Sequence, residues 1–181
     1  MSSVILFNKP FGVLSQFSGD GSIATLADFI DAPGFYPAGR LDKDSEGLLI
    51  LTDDGKLQQA ISNPRYRKFK TYLAQVEGQA SEQALAGLTA GVELKDGLTL
   101  PAKVKAIPEP ELWPRNPPIR FRKQVPTSWL EISIREGKNR QVRRMTAAVG
   151  LPTLRLVRTR IDRWSLDDLE PGHWLQLKLD S

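Results

Sequence analysis

Strand-like segments outnumber helical ones in this chain, and the two kinds do not alternate regularly. That feature argues against a doubly wound parallel sheet, in which a helix follows each strand. It points to an α+β fold with a mixed, mainly antiparallel sheet and flanking helices. Val4–Phe7 reads as a short apolar strand ending in the Lys9-Pro10-Phe11-Gly12 turn, and Gly47–Thr52 (GLLILT) as a buried strand. Lys70–Glu77 alternates like a half-buried strand, and further strands are expected at Ala102–Ile107, Ser128–Arg135, Thr153–Val157 and Trp174–Leu179. Thr25 is placed to cap a short helix reaching Ile30. Asp53-Asp54-Gly55 leads into a helix over Lys56–Ile61, which Asn63-Pro64 stops. Ser81 caps a helix over Glu82–Ala90 with Gly91 at its end, and a last helix fits Arg140–Val149, closed by Gly150 and Pro152.

A chain of 181 residues suits one domain of two lobes and can bury a core without cross-links. The absence of cysteine excludes disulfides, thiolate nucleophiles and Cys-based zinc or iron–sulfur sites. The single histidine, His173, excludes a His-rich metal cage. No Gly-Lys phosphate loop or dinucleotide fingerprint is present, so nucleotide-cofactor chemistry is unsupported. No apolar run approaches the roughly 20 residues of a membrane span. The opening MSSVILFNKPFG lacks the basic start and cleavage site of a signal peptide. A cytoplasmic protein with no membrane partner is expected, with a monomer as the default.

The charge is unevenly spread. Residues 113–163 carry 13 Lys and Arg against 3 acids, whereas the remainder carries 12 against 18. Eleven of the 13 are arginines, with Trp113, Phe121 and Trp129 among them. That combination points to a nucleic acid, without separating RNA from DNA. Within this stretch Pro114–Pro126 resembles an inserted loop, with Arg115, Arg120, Arg122, Lys123 and no acid. It reads equally as an arm gripping a phosphate backbone and as a solvated loop.

The remaining reagents are carboxylates, Tyr, Lys, Arg and hydroxyls. Asp42, Asp44 and Glu46 cluster within GRLDKDSEGLLILTDDG. A carboxylate pair would suit a glycosidase, but that reading leaves the basic segment unexplained. Asp44 and Glu46 are expected to be solvated. Asp42 differs because it sits in a glycine-bounded turn just before a core strand, a setting that aims a side chain rigidly. Turns also hold many structural aspartates, and position alone leaves both roles open.

The same stretch resembles the signature of RNA pseudouridine synthases, which centres on Arg-Leu-Asp followed by a Gly-Leu-Leu strand. NKPFGVLSQF is similar to the family's first motif and Lys70-Thr71-Tyr72 to its tyrosine motif. Glu136–Met145 (EGKNRQVRRM) and the following Gly150–Leu156 resemble the C-terminal motif of the RsuA-type subfamily, which modifies ribosomal RNA. The motifs stand in the family's order and cover most of residues 4–158. Many relatives carry an N-terminal domain of the ribosomal-protein S4 type; here the motifs begin by residue 8, so the expectation is one catalytic domain over 1–181 without it.

The resemblance implies isomerisation of uridine to pseudouridine in 23S ribosomal RNA, near the peptidyl-transferase centre. The substrate would be free RNA or the assembling large subunit, bound in a central cleft, with no cofactor and no metal. Asp42 matches the nucleophilic aspartate, and Tyr72 the tyrosine that stacks on the target uracil. Lys138, with Arg140 next, matches the cation that stabilises the carboxylate. Arg40 resembles the residue that helps extrude the uridine. Arg140, Arg143 and Arg144 would bind phosphates, although at helical spacing not all three can face one partner. Arg120 and Arg122 would grip the backbone, and Lys9 with Pro10 would shape the cleft wall. Where relatives have Thr-Ser-Gly after the aspartate, this chain has Asp44-Ser45-Glu46-Gly47, which changes the rim of the site. The competing reading is a non-catalytic RNA-binding or ribosome-assembly protein.

Overall fold

A computed structural model describes residues 2–180. In chain order the strands are β1 (Ser3–Lys9), β2 (Tyr36–Pro37), β3 (Glu46–Thr52), β4 (Lys70–Glu77), β5 (Glu93–Leu94), β6 (Gly97–Leu98), β7 (Lys103–Ile107), β8 (Thr127–Ile134), β9 (Thr153–Ile161), β10 (Trp164–Ser165) and β11 (Trp174–Lys178). The helices are α1 (Gly55–Ser62), α2 (Glu82–Ala90) and α3 (Gln141–Ala148), with 3₁₀ turns at Leu26–Asp28 and Pro64–Tyr66. The fold is α+β, as the irregular strand–helix order predicts.

The chain divides into two compact units, one running to Lys68 and resuming at Arg158, the other spanning Phe69–Val157. In the first, the strand order is β11-β1-β3 and then the end of β9, with β2 on β3 and β10 on β9. β1 pairs antiparallel with both β11 and β3. Every residue of β1 and β3 is buried, which is why both read as continuous apolar runs rather than alternating ones. Ile5, Phe7, Leu26, Ile30, Leu49 and Leu51 form the core, with Phe29 and Trp174 packed against it. Thr25 and Asp28 make a reciprocal capping box that starts the first 3₁₀ turn. Asp54 caps α1 by accepting from Lys56 N and Leu57 N.

In the second unit the order is the start of β9, then β4-β8-β7, and β5-β6 form a separate hairpin. β4 and β8 pair antiparallel, with Tyr72 opposite Ile132 and Ala74 opposite Leu130. Tyr72, Ala74, Leu130 and Ile132 are all buried on one face of this ladder, so the expected alternation holds over 71–74, whereas Gln75, Val76 and Glu77 are buried as well. Ser81 caps α2 through Ala84 N. Pro114–Pro126 has no helix or strand, and its Asn116–Pro117 peptide is cis. Among the described residues no helix is long and apolar enough to cross a membrane.

Candidate active site

The segment carrying Asp42 is fixed from both sides. Ser15 clamps Leu41: its Oγ accepts from Leu41 N at 3.1 Å and donates to Leu41 O at 2.8 Å, and both residues are buried. After Asp42, Ser45 N donates to the Asp42 carbonyl at 3.0 Å and closes a turn. Gly12 N donates to Lys43 O at 2.8 Å, bringing the turn after β1 onto the same loop. Gly47 then enters β3 at φ +108°, where a Cβ would stand 2.2 Å from the Arg158 carbonyl oxygen. Asp42 is half-buried between these anchors, so its carboxylate is aimed by a scaffold and not by a free loop.

Lys9 sits behind this loop. The sequence places it on a substrate-facing wall; the structure buries it completely. Its ammonium donates to Pro10 O at 2.9 Å, Val13 O at 2.8 Å and Lys43 O at 3.4 Å. An ammonium has three donors, and backbone oxygens take them. Burial pushes its pKa down to about 8, against the pull of Glu46, Asp44 and Asp42 and with the help of Arg158. Lys9 is therefore the buried cation of the Asp42 loop, and its ammonium is not a substrate contact. Glu46 is also not solvated as expected but 1% exposed. Arg158 is buried as well and donates from Nε to Leu48 O at 2.8 Å. Arg40, after Gly39 at φ +85°, is exposed.

In the second unit the C-terminal basic motif is stapled by its uncharged and acidic members. Gln141, 3% exposed, accepts from Lys138 N at 3.1 Å and donates to Glu136 Oε1 at 2.7 Å. The same Glu136 oxygen accepts from Leu100 N at 2.7 Å. Nothing in the sequence except their place in the motif marks Glu136 and Gln141 for this role. Arg140 is exposed in the left-handed region at φ +49°, ahead of α3, and Arg143 is half-buried on that helix.

Three expected RNA or carboxylate contacts have protein partners instead. Lys138 Nζ donates to Asp96 O at 3.2 Å, in the β5–β6 turn. Arg144 binds the Asp96 carboxylate with both terminal nitrogens, at 2.8 and 3.1 Å, and donates from Nε to Asn139 O. Those hydrogen bonds hold the Asp96 carboxyl below its usual range. All three guanidinium nitrogens of Arg144 are thus engaged within the fold. Arg122 makes an ion pair with Glu77 at the end of β4. Arg120 is exposed, and Tyr72 is 9% exposed on β4. His173 is exposed, outside every motif.

A family model described as RNA pseudouridylate synthase matches residues 3–148. The chain is 56% identical over 178 residues to the ribosomal large subunit pseudouridine synthase E of Vibrio vulnificus, covering 98% of this chain and 76% of that protein. It is 57% identical over 174 residues to the protein of the same name from Xanthomonas campestris, covering 94% and 93%. A crystal structure of a pseudouridylate synthase superposes with a TM-score of 0.80 at 29% identity, over 98% of this chain and 71% of that one.

Proposed function

The chain belongs to the RNA pseudouridylate synthase family, and on that premise we propose that it isomerises a uridine of 23S ribosomal RNA, near the peptidyl-transferase centre, with Asp42 as nucleophile. In this reaction the N1 glycosidic bond breaks, the uracil turns, and C5 is joined to C1′. The C5 proton is lost and N1 ends protonated, so atoms balance with no redox partner. The observation that carries the assignment to Asp42 is its loop, held by Ser15 on one side and by the Lys9–Lys43 contact on the other. Support for the large ribosomal subunit comes from the names of the relatives that match over nearly the whole chain. Tyr72 stacks on the extruded uracil, and exposed Arg40 takes the space it leaves, which offsets the few kcal/mol of unstacking. Arg140 and Arg143 supply charge toward phosphate. The protein works as a monomer in the cytoplasm, where its RNA is made.

The test is pseudouridine mapping by carbodiimide labelling and primer extension, on 23S rRNA incubated with the wild type or Asp42→Asn. One new stop with the wild type alone is expected, while the variant keeps RNA affinity because the side chain keeps its shape. Equal product from Asp42→Asn would remove the nucleophile assignment. No stop on free rRNA or on subunit precursors would make the chain a non-catalytic RNA-binding protein.

A further inference from the structure

A hollow of about 490 Å³ in the second unit is lined by none of the residues assigned to the chemistry. Its volume lies in the range of small-ligand pockets, about 300–1,000 Å³. Trp129, 7% exposed, and half-buried Ile107 line its inner side, and Phe121, 58% exposed, lines its rim. Gln75 is buried in its wall, while Gln79 and Glu109 are exposed around it.

The segment that carries Phe121 is tied down beside the hollow. Arg122 pairs with Glu77, and Gly78 N donates to Pro126 O at 2.7 Å. Ser128 Oγ donates to Gly78 O at 2.7 Å and accepts from Ala80 N at 3.1 Å, which fixes the strand end between Gln75 and Gln79. The phenyl ring is thus presented by an anchored segment that also carries Arg120 and Lys123.

An exposed aromatic face, amide groups and flanking cations are the parts of a site for one unpaired nucleotide. Glu109 decides which end enters. A carboxylate repels phosphate and accepts from amino groups, so the base goes in and the backbone stays with Arg120 and Lys123. Resting on the reading of this chain as an RNA-modifying enzyme, we propose that the hollow is a second nucleotide site. It takes one amino-bearing base of the RNA substrate, stacked on Phe121, with Glu109 accepting from the exocyclic amine.

The test measures binding to 23S rRNA and to homopolymers of about 12 nucleotides. Phe121→Ala should weaken rRNA binding about tenfold, and Phe121→Tyr should restore it, since stacking needs the ring. The wild type should bind oligo(A) or oligo(C) several-fold better than oligo(U), and Glu109→Ala should erase that preference. Equal binding by Phe121→Ala and wild type, or a preference that survives Glu109→Ala, overturns the proposal. A loss seen only with subunit precursors and not with naked rRNA also overturns it, because the hollow would then hold a protein side chain. Pseudouridine formation by the wild type on the same RNA is scored separately. Its failure would sink the enzymatic reading, while Phe121-dependent binding would still support the nucleotide site.

Discussion

The Lys9 ammonium donates to the carbonyl oxygen of Lys43, so the last residue of β1 holds the residue that follows Asp42. The same carbonyl accepts from Gly12 N, and Lys9 also reaches Pro10 O and Val13 O. One buried cation thereby joins two chain segments more than 30 residues apart. It also lies within the electrostatic reach of Glu46, Asp44 and Asp42. Glu46 is itself buried and Asp44 half-buried, so both help to balance the buried Lys9 charge.

This arrangement makes stability depend on pH in a particular window. Burial lowers the Lys9 pKa from 10.5 to about 8 in the folded state. Between those values the unfolded chain holds a proton that the folded chain has shed, so unfolding free energy rises with pH. The burial penalty is fully present below pH 8 and is relieved on the way to 10.5, by about 3 kcal/mol in all and about 2 kcal/mol by pH 9.5. Urea unfolding at pH 7.5 and 9.5 should show that gain in the wild type and not in Lys9→Met. Parallel behaviour of the two proteins would mean that Lys9 titrates as an ordinary surface lysine.

Much of this was legible in the residues, and the failures share a cause. The bounds of β4 and α2 follow from alternation and from Ser81 and Gly91, which are local signals. Two-residue strands such as β5 and β6 have no period to read, and so the hairpin that receives Lys138 and Arg144 was invisible. β9 runs four residues beyond Val157 because Arg158, charged by composition, is buried with its Nε on Leu48 O. The motif alone marks Asp42 as the candidate nucleophile. Lys9 was misplaced because lysine is seldom wholly buried, and the oxygen that draws it toward the Asp42 loop belongs to a residue remote in sequence.

Gln141 provides a test of how the basic motif is held. Its buried amide satisfies Lys138 N and Glu136 at once, and Glu136 in turn receives Leu100 N. Gln141→Ala leaves the half-buried Glu136 carboxylate short of a donor and strips the Lys138 N–H of its acceptor, and should cost about 2 kcal/mol. The conservative Gln141→Glu should do no better, since it sets two carboxylates against each other. Chemical denaturation of both variants decides the point, and a loss below about 0.5 kcal/mol would show that the staple is dispensable.

The glycines of the Asp42 loop should differ sharply in what they tolerate. Gly47 and Gly12 both have positive φ, +108° and +86°. A methyl group at Gly12 meets nothing within 4 Å, whereas at Gly47 it meets the Arg158 backbone. Gly12→Ala should therefore pay the conformational cost alone, about 1 kcal/mol. Gly47→Ala adds a clash that neither backbone can escape and should lose about 3 kcal/mol or more, or fail to fold. Thermal melts of the two variants side by side would reveal the difference. Similar melting points would mean that β3 and the end of β9 can separate at little cost.

The ion pair between Arg122 and Glu77 changes what salt should reveal about the Pro114–Pro126 segment. If both arginines met phosphate, removing them together would flatten the dependence of log affinity on log salt by nearly two. Arg122 already neutralises Glu77, and so its removal should release no further counterion. Arg120 is exposed in the same segment and has no acid beside it in sequence. Arg120→Ala should reduce the slope by about 0.7 to 0.9, the increment for one phosphate contact, and Arg122→Ala should leave the slope unchanged. Titrations with 23S rRNA across a range of potassium chloride concentrations separate the cases. Equal reductions from both variants would mean that Arg122 leaves Glu77 for the RNA, and no reduction from either would make the whole segment a solvated loop.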